Sequence, residues 1–194
     1  DPKVIEKLYA GVKDKCILSS DVMGDAWYRA STKMLADSMN GVAPGYAYYF
    51  DYLTKNIRAS HPGVPHSFEI TYVFGSLDLM PQAPKQPEAS ADQCALIEKA
   101  SADVKQRGIW PAYWYPAVDK TSAQDWAMSD KMSKSWTAFA KTGNPNVSGQ
   151  ANWPIYKAKD DVMRNFSYDK ELIQGMLKDR VDYQTLQLKK MFGI

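Results

Sequence analysis

Cysteine is scarce here. Two residues in 194, Cys16 and Cys94, cannot make a disulfide framework, and no C-x-x-C pair is present. The two could pair with each other, but they are expected to be two buried thiols. Histidine is equally sparse: His61 and His66 alone exclude a histidine-rich metal site. No apolar run reaches the roughly 18 residues that a membrane helix needs. Asp1-Pro2-Lys3 offers neither an initiator methionine nor an apolar signal core, so the chain is expected to start inside something longer or processed. Neither sign of charge prevails. With 24 Lys and Arg against 22 Asp and Glu, the net charge of +2 gives no electrostatic case for nucleic acid or an anionic membrane. A Gly-rich phosphate loop, H-E-x-x-H, an EF-hand loop and a G-x-S-x-G nucleophile elbow are also missing.

What remains is a globular composition. Hydrophobic residues make up 45% and charged residues 24%, and 6 Trp with 12 Tyr supply large side chains that a disordered chain lacks. The length suits one domain or part of a larger one. Pro2 to Ala10 reads as a short helix, and Lys15 to Ser19 as a buried strand. Asp21 to Asn40 reads as a helix with Trp27, Ala30, Met34 and Leu35 at helical spacing, stopped by Gly41. Gly45 to Tyr52, aromatic on both faces, suits a strand covered on both sides. Pro and Gly break up 60–66 and 81–87. Ser90 to Arg107 and Asp125 to Thr142 read as helices, the second with Met132, Trp136, Phe139 and Ala140 as its buried stripe. Met163 to Tyr168 is expected as an edge strand, with closing helices over Asp169 to Lys178 and Arg180 to Met191. The paired acids Asp160 and Asp161 are expected in a solvated loop. Trp110, Trp114 and Tyr115 form an apolar cluster read chiefly as packing. The order points to α/β with few strands and mostly helices, as if part of a sheet were missing.

One stretch is more specific. Residues 63–75 run G-V-P-H-S-F-E-I-T-Y-V-F-G. This resembles the segment that carries the catalytic histidine in type-B carboxylesterases, the cholinesterase-like branch of the α/β-hydrolases. A second block, Met128 to Asn146, is similar to the family's late helix ending W-x-x-F-A-x-x-G-x-P-N. Asn152-Trp153-Pro154-Ile155-Tyr156 resembles the W-P-x-Y that follows. Asp21 opening a helix, then G-Y-A-Y-Y-F-D-Y, is similar to the region upstream. The four blocks keep the family's order over residues 15–170.

The resemblance implies a C-terminal part of an α/β-hydrolase fold, with residues 1–194 as the C-terminal portion of a single catalytic domain. It implies that His66 is the general base of a Ser-Glu/Asp-His triad acting on a carboxylic ester, with no metal or organic cofactor. The triad runs serine, acid, histidine along the chain, so nucleophile and acid would lie upstream. Asp21, Asp25, Asp37 and Asp51 carry no family acid motif, and Glu69 is too local to His66 for that part. His61 is expected as an exposed turn residue. The expected partners are a small ester and either a second copy or a complementary N-terminal portion, without membrane insertion. Isolated, the chain is expected to be inactive. The competing expectation is a cholinesterase-like adhesion module without a working triad. Asn146 and Asn165 head glycosylation sequons, relevant only after secretion by a eukaryote; a secreted or periplasmic location would fit, but compartment is unassigned.

Overall fold

The computed structural model describes residues 1–54, 58, 63–79 and 121–193. The expected helix over Ser90 to Arg107, Cys94, His61, the loop over 81–87 and the Trp110 cluster lie outside them. Two compact units divide the chain: Asp1–Tyr49 with Trp153–Arg164 and Leu172–Ile194, and Phe50–Asn152 with Asn165–Glu171.

The first unit opens with α1 (Pro2–Leu8), capped by the Asp1 side chain. Next comes α2 (Lys15–Gly24), where a strand was expected over Lys15 to Ser19. The reason is Asp14: its carboxylate accepts the N–H groups of Cys16 and Ile17 at 2.8 and 3.0 Å, which nucleates a helix. A short apolar run does not distinguish strand from helix. The run continues through a π-helical turn (Asp25–Arg29), where Ala30 N–H reaches back to the Asp25 carbonyl, into α3 (Ala30–Ser38). Of the expected apolar face only Ala30 is buried; Trp27 and Leu35 are exposed. Cys16 is disulfide-bonded, which corrects the expectation of two buried thiols.

What this helical run buries is charge. Asp25 is fully buried and accepts from the Tyr9 hydroxyl at 2.7 Å, Arg29 Nη1 at 2.6 Å and Arg180 Nε at 2.8 Å. Arg180 also pairs with Asp21 at 2.9 Å and lies 4.0 Å from the Tyr9 ring centre. This network ties α1 and the π turn to α6 (Lys178–Phe192). A second cluster joins Tyr156, whose hydroxyl lies 3.1 Å from Asp37 and 3.0 Å from Asp161, with Lys33 donating to that hydroxyl at 3.2 Å. Asp161 is therefore buried rather than solvated; only Asp160 is exposed.

A three-stranded sheet has the order β1 (Tyr48–Phe50), β2 (Val162–Phe166), β3 (Leu172–Gln174). The β2–β3 pair is antiparallel, with Met163 opposite Ile173. Thus β2 is the central strand, not an edge, and Asp169 to Lys178 holds a strand where a helix was expected. Ser167 makes the difference. Its hydroxyl donates to the Lys170 carbonyl at 2.8 Å and accepts the Lys170 N–H at 3.2 Å, closing a turn that returns the chain along β2. Helix α6 spans the last expected helix.

In the second unit, α4 (Ile70–Val73) and a 3₁₀ turn (Leu77–Leu79) precede α5 (Ala123–Thr142). A capping box starts α5: Ser122 Oγ accepts the Asp125 N–H at 3.2 Å while the Asp125 carboxylate accepts the Ser122 N–H at 2.7 Å. Gly143, at φ 74°, ends it in the left-handed conformation. The buried face is Asp125, Met128, Ser129, Met132 and Ser135. Of the expected stripe, Met132 is buried, Trp136 half-buried, and Phe139 and Ala140 exposed. The helix turns further round than its aromatics suggest because Asp125 and Ser129 have partners inside.

Candidate active site

His66 sits in the second unit, on an exposed turn after β1 and before α4. Phe68 N–H donates to the Pro65 carbonyl at 3.2 Å and Ile70 N–H to the Ser67 carbonyl at 3.3 Å, so the turn is tight. Ser67 takes φ 67°, a left-handed conformation that costs a non-glycine residue on the order of 1 kcal/mol. That conformation lets Phe68 enter the core while His66 stays at the surface. Glu69 is half-buried at the N-cap of α4, and its carbonyl accepts the N–H groups of Tyr72 and Val73, each at 3.0 Å.

A four-residue helix is not stable alone. Tertiary contacts hold α4, those of Tyr72 among them. Its ring, fully buried, lies 5.3 Å from Phe50, 5.5 Å from Tyr52 and 6.0 Å from Phe68. Buried Ser129 on α5 donates its hydroxyl to the Tyr72 carbonyl at 2.8 Å. Below, the Tyr52 hydroxyl donates to Asp125 Oδ1 at 2.8 Å, and the Tyr52 ring stacks on Tyr168 at 4.5 Å. Tyr168 in turn donates to the Leu53 carbonyl at 2.7 Å. Asp125 therefore caps α5 with one oxygen and receives Tyr52 with the other. Burial, then the Tyr168 and Asp125 neighbours, push the Tyr52 pKa far above the ordinary tyrosine range. Burial, then the Asp125 charge, does the same to Tyr72. Both phenols thus hold their protons more tightly than an ordinary tyrosine.

The chain thus carries His66 on an exposed turn whose neighbours Phe68 and Tyr72 are anchored in the core. Sequence reasoning singled out His66 but did not anticipate this seat beneath its turn. Ser122-x-x-Asp125 was a legible capping signal; the partnership of Asp125 with Tyr52, 73 positions away, was not. Two open clefts, one bounded by Asn40 to Pro44 with Ile155 to Lys157, the other by Leu8 with Leu177 to Arg180, do not include His66. Among the described residues no group of three or more His, Cys, Asp or Glu is placed to hold a metal. Of the sequon asparagines, Asn146 is exposed, whereas Asn165 is buried and donates to Ser167 Oγ at 3.0 Å.

Residues 86–184, just over half of the chain, match the model of the carboxylesterase family. The chain belongs to the carboxylesterase family. The rat (Rattus norvegicus) acylcarnitine hydrolase is 25% identical over 158 residues, covering 80% of this chain and 20% of that protein. Rat carboxylesterase 1D is 24% identical over 170 residues, covering 84% and 23%. Among solved structures, a Geobacillus stearothermophilus carboxylesterase superposes with a TM-score of 0.59 at 17% identity, over 93% of this chain and 31% of that one. The fold is therefore a partial α/β-hydrolase, helix-rich with its small sheet, and the chain corresponds to a C-terminal portion of a type-B carboxylesterase. It spans about a fifth of the length of these curated relatives. The matched family span begins downstream of His66.

Proposed function

We propose that this carboxylesterase chain is the C-terminal portion of a single catalytic domain and that His66 is its general base. The observation that carries the reading is the pairing of an exposed imidazole with an anchored, left-handed turn in the segment G-V-P-H-S-F-E-I-T-Y-V-F-G. An alignment covering 84% of 194 residues spans position 66 wherever it starts, which supports carrying the family's chemistry to this segment. A serine outside this chain attacks the ester carbonyl while His66 takes its proton. His66 then returns the proton to the departing alcohol, and water repeats the cycle on the acyl-enzyme. A carboxylate, also outside this chain, orients the imidazole. The Cys16 disulfide favours an oxidising compartment, secreted or periplasmic.

In the full-length protein, His66→Ala should lower kcat for a short-chain p-nitrophenyl ester by roughly three orders of magnitude or more, with KM changing far less. His61→Ala should change little. Equal losses from the two substitutions would reassign the role. A full-length protein lacking a G-x-S-x-G serine and inert toward esters would favour the adhesion reading. The isolated chain should show no turnover, since a base without a nucleophile and an oxyanion site has nothing to act on.

A further inference from the structure

The backbone around His66 is held from both sides, and one angle is left to set its direction. The Pro65 carbonyl accepts the Phe68 N–H at 3.2 Å, which closes a four-residue turn with His66 and Ser67 at its centre. Ser67 has φ 67°, and His66 is not among the described residues with a positive φ. A closed turn with a left-handed residue at its third position alone is type II, where glycine or asparagine is usual and serine carries a steric cost. On one side of the turn, the Pro65 ring locks its own φ and restricts Val64 before it. On the other, Phe68 is 4% exposed and Tyr72 0%, so neither can follow a shift of the turn without leaving the core. Relative to buried Phe68, returning Ser67 from φ 67° to the common right-handed value would swing His66 by roughly 130° about the Ser67 N–Cα bond.

We propose that Ser67 is a positioning residue: its left-handed backbone, and not its hydroxyl, aims the His66 imidazole at the serine nucleophile. The inference rests on the reading of His66 as the general base. A base works only within hydrogen-bond reach of the proton it takes, and a misplacement of about 1 Å costs on the order of 100-fold in rate. Ser67 touches no reacting atom in this scheme; it acts through the direction of the residue before it. A left-handed serine persists only where its surroundings over-determine it. Here the Pro65 to Phe68 hydrogen bond and the packing of Phe68 and Tyr72 do so.

Two substitutions in the full-length protein separate backbone from hydroxyl. Ser67→Gly deletes the hydroxyl and keeps the left-handed conformation, whereas Ser67→Thr keeps a hydroxyl and, being β-branched, resists that conformation. With a short-chain p-nitrophenyl ester, Ser67→Gly should hold kcat within about three-fold. Ser67→Thr should lower kcat by about ten-fold or more, with KM within about three-fold. In a His66→Ala background, Ser67→Thr should remove nothing further from the residual rate, since no imidazole is left to aim; a merely structural role would lower both. The reverse ranking, with Gly impaired and Thr active, would overturn the proposal, as would a Ser67→Thr enzyme with unchanged kcat. If Ser67→Thr does not fold by circular dichroism, Ser67→Asn takes its place, because asparagine tolerates the left-handed region. Gly and Asn should then both retain kcat, and a loss of about ten-fold in either would overturn the proposal. Full activity in His66→Ala would fell the reading of the base itself. An inactive His66→Ala beside a fully active Ser67→Thr would fell only the positioning role.

Discussion

The two longest helical stretches among the described residues solve opposite problems. Helix α5 has its apolar and small polar residues inside, Met128, Ser129, Met132 and Ser135, while Asp130 and Lys134 pair in solvent at the surface. Its ends are closed by a capping box and a left-handed glycine. The run from α2 to α3 buries Asp25 instead and leaves Trp27 outside. A helix finished within its own unit looks like α5. The run from α2 to α3 instead spends its charges on internal pairing and keeps Met23, Trp27 and Leu35 exposed. The difference separates the helix that helps seat the His66 turn from the run that holds the buried charges.

The largest expected effect lies in the buried charge. Asp25 receives three donors, two of them guanidinium groups. Asp25→Ala leaves Arg29 and Arg180 without their shared anion and should cost about 3–5 kcal/mol, measured by urea unfolding. Trp27→Ser on the opposite side of the same helix should cost less than about 0.5 kcal/mol in the isolated chain. If the two cost the same, the burial of charge along this run has no energetic content.

Next comes the seat under the histidine turn. Tyr52→Phe removes a hydrogen bond to a buried carboxylate and should cost about 1.5–3 kcal/mol. Because Asp125 keeps its capping bonds to Ser122, helix α5 should persist by circular dichroism. Collapse of the helix signal would mean that Tyr52, not the capping box, holds that end.

Alkaline titration probes both units at once. Tyr9, Tyr52, Tyr72 and Tyr156 all have folded pKa values raised above the ordinary 10.0, in each case first by burial. A raised folded pKa means that the native state holds its proton more tightly than the unfolded chain. That stability is complete below pH 10 and is lost as the pH climbs through and beyond it, at about 1.4 kcal/mol per pH unit for each phenol. Stability attributable to these groups should be flat from pH 7 to 9 and fall steeply above 10. Tyr156→Phe should make that fall shallower by one phenol's share; an unchanged slope would remove Tyr156 from the account.

Local chemistry explains what was legible. Gly143 and the apolar spacing announced α5, and Pro2 announced α1. The run G-V-P-H-S-F-E-I-T-Y-V-F-G pointed to His66 because its resemblance is carried by consecutive residues. Two short polar side chains defeated the local reading: Asp14 turned an expected strand into α2, and Ser167 turned an expected helix into β3. Both act through hydrogen bonds to nearby backbone, which hydrophobic periodicity does not register. The seat was hidden for another reason. Tyr52 meets Asp125, and Ser129 meets Tyr72, across 73 and 57 positions, and no pattern within a window joins such pairs.

The smallest effect is the sharpest test of that seat. Tyr52 and Tyr72 are neighbouring buried phenols, 5.5 Å apart between ring centres, but only one has a use for its hydroxyl. Tyr52 donates to Asp125, whereas the Tyr72 hydroxyl is buried with no hydrogen-bond partner among the described residues. An unmade bond costs the desolvation of the group, so deleting it removes a penalty rather than a contact. Tyr72→Phe keeps the ring among Phe50, Tyr52 and Phe68 and leaves the Ser129 bond to the backbone carbonyl untouched. It should be neutral or stabilise by up to about 1 kcal/mol in urea unfolding, opposite in sign to Tyr52→Phe. A loss above about 1 kcal/mol would show that the Tyr72 hydroxyl has a partner, and that the seat under His66 is polar throughout rather than an aromatic pad with one anchored phenol.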